Sequence, residues 1–255
     1  METGKILCYG SGAVPQKWVL NRYSGINRLY YIRDGMGTYT VGGRTRDFRK
    51  GMLYFIPYTA RFSLYSNPEC PLIHTYSDFE LIPPVICDDI LEFSPHRDSL
   101  SEAALGVFCA GAARGGRDGD GRQNIDDMKK NGELFGLCMK SITYLVSRII
   151  EDNGVKSVSD EIVISVLEEM LEGLDRPFSL AETATKHFIA EDSLIRRFKR
   201  VLGVTPYAYY KMLRSRTARY LIDDGMTLEE AAARVGYADA SSLSHAIGKT
   251  GGYRR

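Results

Sequence analysis

The sequence predicts an α+β protein in two parts: a strand-built amino-terminal domain of small-barrel type with helices behind it, then an all-helical carboxy-terminal domain. Three observations carry that expectation. Residues 29–79 set short runs of Tyr, Phe, Ile, Val and Thr between glycine turns such as RDGMG, VGGRT and FRKGM, the pattern of closely spaced strands. From about residue 130 the apolar period changes to that of a helix, with Leu134, Leu137, Ile142, Leu145 and Ile149 recurring near every 3.6 residues. Charge divides along the same line: from Arg176 onward there are 14 Lys and Arg against 8 Asp and Glu, a net +6, whereas the preceding 175 residues carry 19 against 24, a net −5.

Taken in order, the elements give a first domain over 1–152, a linker over 153–159 and a second domain over 160–255. The chain has 255 residues, 44% hydrophobic and 25% charged, which suits one large or two small cores. A barrel is expected over about 5–110. The stretch GAARGGRDGDG from Gly111 has almost no apolar content and reads as a mobile surface loop over 111–123. The helix over about 130–151 carries apolar residues beyond one stripe, so it packs on the barrel and also meets a second copy. After the polar DNGVKS, SDEIVISVLEEMLEGL is a helix whose acidic first turn suits the positive end of its dipole.

Within the basic domain the helix starts come in pairs. SLAE and TLEE each place a hydroxyl, Ser179 or Thr227, three residues before a glutamate, Glu182 or Glu230, the pattern of a capping box. Each opens a short helix that breaks and is followed by another, so helix-turn-helix occurs twice. Between the two, Thr205 caps and Pro206 takes the first position of a helix reaching about Ile222. One straight spacer would hold the second helices about 34 Å apart, one major-groove turn. The stretch Leu194–Ile222 holds eight Lys and Arg and no acid. Such clustering points to a polyanion partner, duplex DNA, with a solvated helix face as the alternative.

These residues resemble the AraC/XylS transcription regulators. The resemblance runs from about Ile164 to Arg255 and is carried by Leu194, Phe198 and Lys199, by Gly203, Thr205 and Pro206, by the Arg-rich spacer, and by LEEAAARVGYADASSLSHA with a terminal YRR. LYYIRDGMGTYTVGG and KGMLYFIP are similar to the cupin-type effector domain of that family. The resemblance implies a homodimer with RNA polymerase as a further partner. It also implies base-reading positions at Asp192, Ile195 and Arg196 in the first pair and at Ala240, Ser241, Ser244 and His245 in the second. Ile247 and Gly248 depart from the family's Phe-Lys, and the closing segment is shortened to KTGGYRR. Arg196 is the strong reader, because a guanidinium pairs bidentately with guanine, and His245 is next. The first pair is therefore expected to supply most specific binding. Lys199, Arg200, Arg214, Arg216 and Arg219 are assigned to phosphates, and about five such contacts give a log–log salt slope near −4 to −5.

For the barrel, Trp18, Tyr31, Tyr39, His74 and Tyr76 combine aromatic faces with polar groups and suit a small effector, a sugar or related metabolite. The segment IHTYSDF resembles the one in which sugar-responsive members of the family place ligand contacts, here on His74 and Tyr76. No enzyme motif survives inspection. The strand region has only His74, short of the two histidines and a carboxylate that a cupin metal needs. Gly248-Lys249-Thr250 lacks the earlier glycine of a phosphate loop, and Gly10-Ser11-Gly12 lacks the spacing of a nucleophile elbow. No metal or cofactor is expected. Five scattered cysteines read as reduced, mostly buried thiols, and the start lacks a long apolar core, so the expected address is cytoplasmic with no membrane partner. The alternative reading is a cupin-like ligand-binding or enzymatic protein with a degenerate helical module.

Overall fold

Period-two alternation decides the amino-terminal architecture. In the computed structural model, which describes residues 2–14, 19–23, 26–113, 132–155, 158–223 and 225–250, nine strands form two antiparallel sheets. These are β1 (Glu2–Ala13), β2 (Val19–Tyr23), β3 (Asn27–Asp34), β4 (Gly37–Val41), β5 (Arg44–Asp47), β6 (Leu53–Ile56), β7 (Arg61–Ser66), β8 (Ile73–Ile82) and β9 (Leu91–Phe93). One sheet has the order β1-β8-β3-β6-β9 and the other β2-β7-β4-β5. All four residues of β6 are buried: Tyr54 and Ile56 join Tyr30, Ile32, Tyr39, Phe62 and Leu64 in a core shared by both sheets. Leu53 and Phe55 point the other way, into a core with Leu29, Phe79 and two helices. The five-stranded sheet is thus covered on both faces, which explains its near-continuous apolar runs.

Those helices are α1 (Ser99–Ala113) and α2 (Gly132–Asp152). Helix α1 was not foreseen: it occupies the end of the range read as barrel and takes in residues 111–113 of the expected loop, while the rest of that loop lies outside the described residues. Helix α2 buries Cys138, Ile142, Leu145, Val146, Ile149 and Ile150. Leu137, placed by the sequence on the same stripe, is 54% exposed, because it stands one residue out of phase with Cys138. Of the cysteines, Cys8 and Cys138 are buried, Cys87 and Cys109 half-buried and Cys70 exposed, so fewer are fully buried than the sequence reading expects.

The chain divides into Met1–Ser157 and Val158–Arg255. The second unit contains α3 (Glu161–Glu172), α4 (Leu180–Lys186), α5 (Glu191–Leu202), α6 (Pro206–Asp223), α7 (Leu228–Arg234) and α8 (Ala240–Thr250). Its local signals are obeyed. Ser179 Oγ accepts from the Glu182 amide at 3.3 Å, and Thr227 with Glu230 closes a reciprocal capping box. Thr205 Oγ1 accepts from the Ala208 amide at 3.2 Å and Pro206 begins α6. Gly203, left-handed at φ 74, ends α5 and donates to the Lys199 carbonyl.

Candidate nucleic-acid interface

Two buried residues orient α5. Leu194 and Phe198, four apart, are fully buried among Ala184, Tyr209 and Leu213; truncating such a Phe costs about 3–5 kcal/mol. With that side held inward, Asp192, Arg196 and Lys199 are exposed, and Ile195 is half-buried on the flank beside the buried pair. In the second pair Leu243 is fully buried, and this turns Ser241, Ser244 and His245 to the surface with Ala240 half-buried at the helix start. The Asp239 carboxylate accepts from the Ser242 amide at 2.6 Å and caps α8. The two faces differ in chemistry: α5 offers a guanidinium and an ammonium, whereas the described side chains on the α8 face are small, or hydroxyl and imidazole.

Helix α6 belongs to both pairs. Tyr209, Tyr210 and Leu213 enter the first core, and Ala218 enters a second core with Ala231, Ala232, Val235 and Leu243. Its 18 residues span about 27 Å.

Sharing has a consequence for the spacer cations. The Arg214 guanidinium lies 4.2 Å from the Tyr237 ring and 5.4 Å from the Tyr210 ring, and its Nε donates to the Val235 carbonyl. Arg219 donates to the Ile247 carbonyl at 3.1 Å. Arg216 is half-buried. Arg214 and Arg219 thereby tie the second helix pair to the spacer. Arg200, though 69% exposed, donates to Asp160 at 2.8 Å. Of the five cations assigned to phosphate, Lys199 is exposed and its ammonium makes no ion pair among the described residues.

In the amino-terminal unit the proposed effector residues are not brought together as a set. His74 and Tyr76 stand on the inter-sheet face of β8, with ring centroids 4.9 Å apart, and His74 is 5.0 Å from Tyr30. Burial pushes the His74 imidazole down to about 4, so it is neutral at neutral pH. Tyr39 faces the same core, but it is packed against Phe48 and Tyr54 and donates to Glu92. Tyr31 stands on the opposite face, against the helix-side core. Trp18 lies outside the described residues. The sequence reading missed Tyr30 and the pair Arg28–Asp78, whose 3.5 Å contact is buried with the guanidinium 6.0 Å from the Phe62 ring. The missed signal was register: Arg28, Tyr30, His74, Tyr76 and Asp78 share one phase of β3 and β8, paired Arg28↔Asp78 and Tyr30↔Tyr76.

Among the described residues, no cluster of three or more His, Cys, Asp or Glu is placed to hold a metal ion. No described helix is long and apolar enough to cross a membrane. A cavity of about 300 Å³ lies in the second unit, lined by residues such as Glu169, Arg176, Phe178, Lys186 and Tyr210, and nothing in the sequence marked it.

The two capped pairs on one spacer define a helix-turn-helix domain, carried on a chain with a separate sheet-rich unit. Residues 183–253 match the family HTH_18, a helix-turn-helix domain. Among solved structures the chain is similar to ToxT from Vibrio cholerae O395 bound to (E)-4-(8-methylnaphthalen-1-yl)but-3-enoic acid. That likeness has 13% identity and a TM-score of 0.57 over 95% of this chain and 93% of that one. It is similar also to unsaturated fatty acid bound ToxT from V. cholerae, at 10% identity and a TM-score of 0.52 over 98% and 88%. These likenesses show the fold. No curated protein sequence matches the chain.

Proposed function

We propose that the chain is a cytoplasmic transcription regulator, not an enzyme. It reads duplex DNA chiefly through α5, uses α8 mainly to position, and responds to a small effector held in the sheet-rich unit. The observation that carries this reading is Arg196: an exposed arginine in the middle of a helix whose opposite side is anchored by Leu194 and Phe198. A guanidinium so placed reaches the O6 and N7 of guanine, worth about 1–3 kcal/mol of discrimination. On the α8 face Ser241, Ser244 and His245 allow close approach but place no fixed charge. The exposed Leu100 of α1 and Leu137 of α2, 60% and 54% accessible, favour a homodimer formed through that unit. RNA polymerase is the further partner of this reading.

For the effector, His74, Tyr76 and Tyr30 on the inter-sheet face favour a sugar or related metabolite. A second reading, an organic acid, is favoured by Arg28 on that face and by the acids that the two ToxT structures hold.

The test is gel shift on the DNA upstream of the chain's own coding sequence, with Arg196→Ala set against His245→Ala. Arg196→Ala should weaken binding about 10- to 100-fold and relax preference at one position, with a smaller loss from His245→Ala. The reverse order, or no binding by the wild type, overturns the reading.

A further inference from the structure

Resting on the reading that α5 faces DNA, we propose that Asp160 is a positioning residue that sets how many cations the recognition helix offers to phosphate: it holds Arg197 and Arg200 against the start of α3 and leaves Arg196 and Lys199 to the duplex.

Asp160 stands three residues into the second unit, immediately before α3. Its side chain is 8% exposed. Oδ1 accepts from the Val163 amide at 3.3 Å and caps α3. Oδ2 accepts from Arg197 and from Arg200, each at 2.8 Å. Burial opposes ionisation, but the Val163 amide and the two guanidiniums overcome it and hold the carboxyl below the usual carboxylate range. The carboxylate is therefore charged wherever DNA binding is measured.

Arg197 and Arg200 are three residues apart and so share one side of α5, next to the side that carries Arg196 and Lys199. Their freedom differs: the Arg197 side chain is 35% exposed and that of Arg200 is 69% exposed. Arg200 has the reach to leave Asp160 for a phosphate. While the carboxylate is present, such a move must break a charge-assisted bond and strand part of a buried acid. Phosphate contacts are blind to sequence, so each cation withdrawn lowers non-specific affinity more than it lowers discrimination. Asp160 thus favours specificity, besides fixing the angle of α5 on α3.

The experiment measures fluorescence anisotropy of the full chain on a mixed-sequence duplex of about 30 bp, titrated from about 50 to about 200 mM KCl. Asp160→Asn should tighten binding several-fold at the low end and steepen the log–log salt slope by about 0.9, one additional phosphate. Arg200→Gln alone should leave the slope unchanged, and Arg200→Gln added to Asp160→Asn should remove the gain. Should Asp160→Asn lose its fold, Arg200→Gln alone decides, since that side chain is mostly exposed. A slope flattened by about 0.9 in that single variant means Arg200 already sits on phosphate and overturns the proposal. An unchanged slope in folded Asp160→Asn overturns it too. A wild type without salt-dependent duplex binding removes the DNA reading itself, a different and recognisable failure.

Discussion

In the turn of the first helix pair the backbone is left-handed at Phe188, φ 54, and the second pair places Gly236, φ 72, at the matching point. The match is set by hydrogen bonds: Phe188 and Ile189 donate to Thr185 and Ala184, and Gly236 and Tyr237 donate to Ala233 and Ala232. Left-handed backbone costs a residue with a Cβ about 1–2 kcal/mol. Phe188 gains no packing in return, since it is 96% exposed. Phe188→Gly removes that strain but widens the unfolded ensemble by about 0.4–1 kcal/mol. The expected result is a net stabilisation of about 0.5–1 kcal/mol, or roughly 3–5 °C for a unit of this size. The matching change runs the other way. A Cβ at Gly236 would fall 2.3 Å from the Asp175 carbonyl oxygen, so Gly236→Ala adds a backbone collision to the same strain and should cost more than about 2 kcal/mol. Calorimetry on the full chain, following the carboxy-terminal transition, reads both. A lower transition temperature in Phe188→Gly, or an unchanged one in Gly236→Ala, would refute the argument from turn geometry.

Arg214→Ala should cost about 2 kcal/mol, from two ring contacts and the bond to the Val235 carbonyl, with no change in salt slope. Urea unfolding beside a salt titration checks it, and a flatter slope with intact stability would return Arg214 to the phosphates. His74, held down to about 4 by burial against an ordinary 6.5, binds its proton more readily in the unfolded chain. Its contribution is therefore present above pH 6.5 and lost as pH falls towards 4, about 3 kcal/mol in all. In urea unfolding across that range His74→Gln should flatten the decline, and parallel curves would show that another group drives it.

What could be read from the sequence was what neighbours along the chain decide. Thr205–Pro206, Thr227–Glu230 and the Leu194/Phe198 pair act within a turn or two of helix, and each stands where its local pattern puts it. What could not be read depends on partners distant in sequence. Tyr30 and Tyr31 are adjacent and alike, yet one lies between the sheets and the other against the helices, because only the pairing of β3 with β6 and β8 fixes the phase. Strand β1 escaped notice because Gly10, Ser11 and Gly12 interrupt its apolar run. Its ten-pair register with β8 is long-range and supplies what local propensity lacks. Leu137 shows the helical version of the same limit: a mean period of 3.6 does not say which of two adjacent apolar residues faces the core.

The cation run shows the same limit with a chemical outcome. At 100° per residue, Lys and Arg scattered along α6 must point in every direction, and a spacer shared by two cores leaves little of its surface free. Residue type then sorts with direction. Lys211 is exposed, stacked on Tyr207 at 4.9 Å, whereas Arg214, Arg216 and Arg219 are half-buried. Arginine suits that place because its stem covers apolar surface while its planar fork bonds carbonyls and lies on rings. A lysine there would bury a compact, strongly hydrated charge with no plane to match the Tyr237 ring. Clustered charge in this chain therefore serves two purposes. On α5 Arg196 and Lys199 face outward, and on α6 Arg214 and Arg219 bond the second helix pair to the spacer through the Val235 and Ile247 carbonyls.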